Sequence, residues 1–279
     1  MSTKTLYFYK LSIKPTPLFA NIDNLDIKSC LNKALNVDFT IDNGQTIIDV
    51  LEFKNDYIFG SIGKLTDLND QNKALIRKRD IKNKSIINKD DKVPFYLEDF
   101  TYFLIGGKDL SDIIVLKNSK APNIEKPLKT RILEVCPEVK VNIFAKQVEN
   151  LTKSLKRLKK LCEISFVTNS EETKKGIRLS IKGIKNLSET KAEKISVSMT
   201  YKKDTITPEL LEEITNNTYE GFVRFDVTGH TSDDSETQEI VDMVKKVVTK
   251  RVSIPISEDT LKDNNRIKSL LLHELSCSQ

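Results

Sequence analysis

The segment that most constrains the fold is residues 150–161, with the sequence NLTKSLKRLKKL. Its leucines recur at steps of four, three and three, and this spacing places them on one face of an α-helix. Those leucines are Leu151, Leu155, Leu158 and Leu161. Basic residues cover much of the remaining surface, and no acidic residue interrupts them. We therefore predict a helix that packs its leucines on a core and exposes a positive face.

The basic residues of this predicted helix form the first candidate site. They are Lys153, Lys156, Arg157, Lys159 and Lys160. A dense positive face without acids attracts a polyanion, and nucleic acid is the usual one. A solvated helix in a lysine-rich protein is the alternative explanation of the same pattern.

Charge is informative here through its local clustering rather than its total. The chain has 45 basic and 40 acidic residues, which gives a mild net charge of +5. Two further basic clusters are candidates for phosphate contact: Arg77, Lys78 and Arg79, and then Lys245, Lys246, Lys250 and Arg251. Because the basic helix has no aromatic neighbour in sequence, we expect contact with a duplex backbone, at low sequence specificity, rather than base stacking.

Alternating apolar residues and turn signals predict an α+β fold of mostly antiparallel sheets with flanking helices, in two subdomains. Prolines recur at residues 122, 127 and 137, and we expect the boundary there. The N-terminal α+β subdomain is expected at residues 1–125, with a long basic loop at 65–93. The C-terminal α+β subdomain is expected at residues 138–279 and carries the basic helix.

The individual elements follow from the same patterns. Strands are predicted at residues 5–13, 46–53, 57–63, 100–105, 112–117, 139–146, 162–168, 177–184, 194–201, 219–227 and 249–256. Helices are predicted near residues 27–35, 126–135, 208–215, 236–248 and 261–275. The pair at 46–53 and 57–63 is expected to form a hairpin around Asn55 and Asp56.

No motif in the sequence specifies a catalytic, metal or cofactor site. A phosphate-cradling glycine loop and a serine-nucleophile motif of the GxSxG type are both absent from the sequence. The four cysteines are far apart and there are two histidines, so no metal site is predicted. Cys30, Cys136 and Cys162 are expected to be reduced, buried thiols.

Two other classes of function stay open. The first is a nuclease effector that would use acids around Asp226 and Asp234, beside His230, although polar loop composition explains this cluster equally well. The second is a protein-interaction module without nucleic-acid binding, in which the amphipathic helix at residues 261–275 would dock a partner.

The sequence also bears on cellular location. No apolar run approaches the roughly 20 residues that span a bilayer. The first residues, MSTKTLYFYK, lack the apolar region and cleavage site of a signal peptide. A cytoplasmic protein is therefore expected.

The order of these features resembles the RexA type of phage-exclusion protein. The resemblance rests on an N-terminal aromatic strand, a helix, the segment YIFGSIGK at residues 57–64 and basic residues 77–79. It continues with strands at 102–105 and 112–115, a lysine-bearing, strand-rich second half and a similar overall length. It implies a dimeric DNA-binding protein of phage defence, or abortive infection, that senses infection and acts through a membrane or effector protein. The family supplies no catalytic residue to this chain.

Overall fold

In a computed structural model, the described residues are 2–17, 27–35, 39–41, 46–66, 75–87, 92–169, 194–204, 206–216, 219, 221–232, 237–254 and 260–277. The chain divides into two compact units. Unit 1 comprises Met1–Ala145 and Ile254–Gln279, and unit 2 comprises Lys146–Ser253. The last helix and residues 126–145 therefore belong with unit 1, whereas the sequence pattern suggested subdomains at 1–125 and 138–279.

Unit 1 is built on an antiparallel sheet. Its elements in chain order are β1 (Ser2–Pro15), α1 (Ile27–Leu35), β2 (Phe39–Ile41), β3 (Thr46–Phe53), β4 (Ile58–Thr66), β5 (Ile76–Asp80), β6 (Ile86–Ile87), β7 (Phe95–Gly106), β8 (Asp112–Lys117), α2 (Glu125–Val135) and β9 (Val139–Ala145). β1 pairs with both β8 and β9, and β7 pairs with β4, β5 and β8. The predicted hairpin of β3 and β4 is confirmed.

The described residues of unit 2 form a second antiparallel arrangement with two short helices. Its elements are α3 (Leu151–Arg157), β10 (Lys160–Asn169), β11 (Lys194–Asp204), α4 (Pro208–Asn216), β12 (Phe222–His230), β13 (Gln238–Asp242) and β14 (Val247–Ile254). The strands pair in the order β11-β10-β12-β13-β14. Thr207 caps α4, since its Oγ1 accepts a hydrogen bond from the Leu210 N–H at 3.3 Å. The strand predicted at 177–184 lies outside the described residues.

The predicted helix at residues 236–248 is wrong. Residues 238–254 form the hairpin of β13 and β14 instead, with Ile240 opposite Thr249 and Val241 opposite Val248. β-branched side chains favour extended backbone, and tertiary pairing decides in favour of strands here. Asp242 stabilises the connecting turn, because its Oδ1 accepts hydrogen bonds from the N–H groups of Val244 and Lys245 at 3.0 and 2.9 Å.

Helices pack on both faces of the unit 1 sheet. Buried residues of α1 and α2 join one core with alternate residues of β7 such as Phe103 and Ile105. The last helix, α5 (Thr260–Cys277), belongs to the same unit. The Tyr102 hydroxyl donates to Asn264 Oδ1 at 2.6 Å, and Tyr102 points away from Phe103 because strand side chains alternate. The α+β class is thus confirmed, with strands as the dominant element.

Among the helices that the structure describes, none combines the length and the apolarity of a membrane-spanning segment. Cys30 and Cys136 are buried, as predicted, while Cys162 is half-buried and Cys277 is exposed.

Candidate nucleic-acid interface

The basic segment of unit 2 begins as a helix and ends as a strand. Asn150 caps α3, because its side chain accepts a hydrogen bond from the Lys153 N–H at 2.9 Å. The helix ends at Arg157, and Leu158 is already extended, with φ −74° and ψ 109°. The prediction of a helix through residue 161 is therefore wrong in its last turn, where Lys159 and Lys160 leave the helix.

Strand pairing explains this early end. The Lys159 N–H donates to the His230 carbonyl at 2.8 Å, and Lys160 starts β10 directly opposite His230. The two backbones approach closely at Gly229, where a Cβ atom would lie 2.4 Å from the Lys160 carbonyl oxygen. Only glycine fits such a contact, and the pairing of this segment with β12 takes the place of a further helical turn.

The leucine face is confirmed as the buried side of the segment, although only the first part is helical. Leu155, Leu158 and Leu161 are buried in the core of unit 2, and Leu151 packs against it half-buried. Phe166 and Phe225 stack in the same core, with ring centroids 5.9 Å apart. The apolar core thus fixes the orientation of the basic side chains around it.

The basic side chains of the segment differ in exposure and in ion pairing. Lys153, Lys156 and Lys159 are exposed, and within the described part of the chain they form no ion pair. Arg157 is 53% exposed, but its Nη2 lies 3.5 Å from Oε1 of the buried Glu239. Lys160 is half-buried and interacts with another group of the protein.

The cluster at residues 245–251 likewise contains exposed lysines and cations that are paired with acids. Lys245 and Lys246 are exposed on the turn between β13 and β14. The Val148 N–H donates to the Lys246 carbonyl at 2.8 Å, which places this turn beside the start of α3. Lys250 is buried with its Nζ 3.6 Å from Glu239 Oε1, and Arg251 Nη1 lies 3.7 Å from Glu163 Oε2.

These positions define a smaller site than the sequence suggested. We call it the lysine surface, and it consists of Lys153, Lys156, Lys159, Lys245 and Lys246. Sequence reasoning missed the two acids that neutralise the neighbouring cations, Glu163 and Glu239. Glu239 lies opposite Lys250 in the β13–β14 pair, and Glu163 lies on β10, so only the tertiary arrangement of the strands reveals these pairings.

The basic cluster at residues 77–79 does not form an exposed loop, and that prediction is wrong. Residues 76–80 are β5, which pairs with β7. Arg77 and Arg79 are buried, with Arg79 only 1% exposed. Lys78 points the other way along the strand, and its Nζ lies 4.5 Å from the centroid of the Phe95 ring. Neither arginine is accessible to a DNA phosphate.

Two carboxylates neutralise the buried arginines. Arg77 donates to Glu98 through Nε at 2.7 Å and through Nη2 at 2.9 Å, while Arg79 Nε donates to Glu98 Oε2 at 2.7 Å. Arg79 also donates to Asp49 from Nη1 at 3.0 Å and from Nη2 at 2.6 Å. The Ser61 hydroxyl donates to Asp49 Oδ2 at 3.2 Å. We call Asp49, Arg77, Arg79 and Glu98 the buried ion network.

The ionisation of Asp49 follows from this geometry. Burial acts to raise the pKa of the Asp49 carboxyl, but the positive charge of Arg77 and the hydrogen bonds from Arg79 outweigh it, so the pKa lies below its ordinary value. Arg77 also lies over the Phe100 ring at 4.4 Å from its centroid. The network is electrically balanced, and it is part of the fold rather than a binding site.

The acidic cluster proposed for catalysis does not converge in the described residues. Asp226 is buried, and Arg224 Nε donates to its Oδ2 at 2.5 Å. Burial and nearby Asp242 raise the pKa of Asp226 against the opposing effect of Arg224. His230 Nδ1 lies 3.1 Å from the Thr237 carbonyl oxygen, and Asp234 is outside the described residues. Within the described residues, no group of three potential ligands could hold a metal ion.

The terminal helix uses its apolar side within unit 1. Ile267, Leu271 and Leu275 of α5 are buried there, and Lys268 Nζ donates to Glu52 Oε2 at 2.5 Å.

Comparison with known proteins yields no matching family model and no matching curated protein.

Proposed function

We propose that the chain binds duplex DNA through its phosphate backbone, using the lysine surface of unit 2. One observation carries this proposal: three lysines of one short segment stay exposed and unpaired among the described residues, while the leucines between them are buried. The segment therefore holds positive charge outward in a fixed orientation. Nearby cations that could have joined the surface are neutralised by Glu163 and Glu239.

The chemistry of the surface favours phosphate over base recognition. A lysine ammonium is a compact, hydrated point charge, so it attracts a phosphate without selecting a planar, two-point geometry. Base reading relies on rigid bidentate groups, most often arginine. Arg157, the exposed arginine of this segment, lies near Glu239. We therefore expect weak sequence preference and a strong dependence of affinity on salt.

The test compares two variants of the full chain that carry the same change of charge. In Lys153→Gln/Lys156→Gln/Lys159→Gln the lysine surface loses three cations. If all three contact phosphates, the slope of log affinity against log salt falls by about 2.7, at about 0.9 for each contact. The matched control is Lys33→Gln/Lys82→Gln/Lys108→Gln, which removes three exposed lysines of unit 1.

A labelled DNA duplex is titrated with each variant by fluorescence anisotropy at several salt concentrations. The proposal predicts weaker binding and a smaller salt slope for the first variant, with the control equal to the unaltered protein. Equal losses in both variants would mean that total charge, not this surface, governs binding. A duplex RNA of the same length, titrated in parallel, tests the preference for DNA.

The biological setting belongs to the same proposal. We place the chain, as a homodimer, in phage defence, with a membrane or effector protein as its partner. The support is the order of features shared with phage-exclusion proteins. Cells that express the unaltered chain should reduce phage plating, and cells that express the lysine-surface variant should not. Unchanged plating in both strains, with DNA binding intact, would remove the phage-defence setting but keep the DNA-binding site.

A further inference from the structure

Unit 1 contains a groove between the β1–β9 strand pair and the start of α2. Its volume is about 910 Å³, which is within the range of ligand-binding clefts. We call it the basic groove, because four lysines line it. The lining residues that carry the argument are Lys14, Lys126, Lys129, Lys140, Asn142 and Phe144.

Strand register places several of these lining residues side by side on the β1–β9 pair. Lys14 of β1 lies directly opposite Lys140 of β9, and Ser12 lies opposite Asn142. Along β9, Lys140, Asn142 and Phe144 are exposed while Val139 and Val141 are buried. Like charges directly opposite each other destabilise a strand pair, and a bound anion would remove that repulsion.

The helix adds two more cations to the same groove. Lys126 and Lys129 are three residues apart on α2, so they share one side of the helix. Of the described residues that line the groove, Glu125 is the one with a carboxylate, and it accepts a hydrogen bond from Asn123 Nδ2 at 3.4 Å. Among the described residues, none of the four lysines has an ion-pair partner. Nearby Lys10, in contrast, lies 2.7 Å from Asp112.

An aromatic ring completes the arrangement. Phe144 is 51% exposed on the same face of β9 as Lys140. A single exposed apolar residue is ordinary on a protein surface. An exposed ring beside a lysine-lined groove is different, because cations that follow a phosphate backbone and a ring that stacks a base are the two components of single-strand binding.

We propose that the basic groove binds single-stranded nucleic acid, with phosphates on its lysines and one base stacked on Phe144. Two pairs of lysines, on the strands and on the helix, can neutralise more than one phosphate, which favours a strand over a single nucleotide. A duplex does not fit this site, since its bases are already stacked on each other and cannot reach Phe144. The inference uses residues of unit 1 only and does not rest on the lysine surface.

The experiment uses the full chain and a labelled oligothymidine of about 12 nucleotides, within the usual site size of single-strand binding folds. Phe144→Ala should weaken binding about 5- to 150-fold, the range that one stacked base contributes. Phe144→Tyr keeps the ring and should bind like the unaltered protein. Phe144→Leu is the matched control for apolar contact, and it should lose affinity like Phe144→Ala. Because Phe144 is half exposed, all three variants are expected to fold.

The lysines are tested separately through salt dependence. Lys14→Gln/Lys140→Gln should reduce the salt slope for oligothymidine by about 1.4, at about 0.7 for each single-strand phosphate contact. Duplex binding by Phe144→Ala should equal that of the unaltered protein. The proposal of single-strand binding by the basic groove can therefore fail independently of the proposal of duplex binding by the lysine surface.

Three outcomes would overturn the inference. In the first, Phe144→Ala and Phe144→Leu bind oligothymidine as well as the unaltered protein. In the second, the lysine-surface variant loses oligothymidine binding and the groove variants keep it. In the third, thymidine monophosphate displaces oligothymidine at equal nucleotide concentration, which would make the ligand a free nucleotide rather than a strand.

Discussion

Two short basic stretches, residues 77–79 and residues 153–159, look alike in sequence and differ completely in structure. The first becomes a strand whose arginines are buried against carboxylates, and the second keeps its lysines exposed around a buried leucine face. Side-chain chemistry accounts for part of the difference. A guanidinium has a planar set of donors that matches carboxylates and is weakly hydrated, whereas an ammonium is strongly hydrated.

The rest of the difference comes from distant parts of the chain. The acids that hold Arg79 in place are 30 residues before it and 19 residues after it. Lys153, Lys156 and Lys159 have no such acids within the described residues. A basic cluster is therefore a candidate binding surface only when the tertiary fold supplies no carboxylates to it.

Removing one arginine of the buried ion network should have the largest effect. Arg79→Met leaves Asp49 and Glu98 with one cation between them, and we expect the free energy of unfolding to fall by about 3–5 kcal/mol. Denaturant unfolding followed by circular dichroism measures it. Asp49→Leu added to Arg79→Met should recover part of the loss, since the remaining Arg77 and Glu98 balance each other. A loss below about 1 kcal/mol would contradict the conclusion that Arg79 neutralises the buried carboxylates of Asp49 and Glu98.

A methyl group beside the network should have a smaller effect. A Cβ atom at Gly63 would lie 1.8 Å from Glu98 Oε1, so Gly63→Ala must displace the carboxylate that holds both arginines. We expect about 1–3 kcal/mol of destabilisation in the same denaturant measurement, the usual range for overpacking. An unchanged unfolding midpoint would show that Glu98 can move without weakening the network.

Acid should weaken unit 1 through Asp49. The pKa of Asp49 is lower in the folded chain than its ordinary value of 3.8, so the unfolded chain binds the proton more readily. The stabilisation is therefore present above about pH 4 and is lost as the pH falls through the folded pKa, by at most about 1.4 kcal/mol per pH unit. Unfolding free energies measured across this range should fall less steeply in Asp49→Asn. Parallel slopes in the two proteins would assign the acid sensitivity to other groups.

The lysine surface should contribute least to stability. In Lys153→Gln/Lys156→Gln/Lys159→Gln, each site should change the free energy of unfolding by less than about 0.5 kcal/mol, because exposed side chains without partners lose little on replacement. The same denaturant measurement provides the comparison with Arg79→Met. A large loss of stability here would mean that these lysines have structural contacts and that the contrast with the buried arginines is false.

Local patterns predicted much of the fold. Apolar, β-branched and aromatic runs with turn signals were sufficient for β1, for the β3–β4 hairpin and for β7 and β8, although most residues of β7 and β8 are buried in continuous runs rather than alternately. They failed at β13 and β14, where the spacing of Ile240, Val241 and Val244 also fits a helix. Periodicity cannot separate the two structures when the apolar run is short and β-branched.

The candidate site was predictable only in part. The leucine spacing correctly oriented Lys153 and Lys156, whereas the neutralisation of Arg157 by Glu239 depends on the packing of α3 against β13, which no local pattern contains. A signal for the buried arginines did exist. Gly60, Ser61 and Gly63 leave space along β4, and small residues in a strand often indicate that a large neighbour lies beside it.

The buried ion network has a consequence for how β5 can dock on its neighbour. In the observed alignment Arg77 is opposite Glu98, and Arg77 and Arg79 share one side of the strand. A slip of one residue would turn both guanidinium groups outward and carry Lys78 inward. The carboxylates of Asp49 and Glu98 would then be left in the interior with a single lysine ammonium in place of two guanidinium groups. Misaligned sheets are thereby penalised while the chain folds, so the four charges select a single alignment of strands even where their net contribution to stability is small.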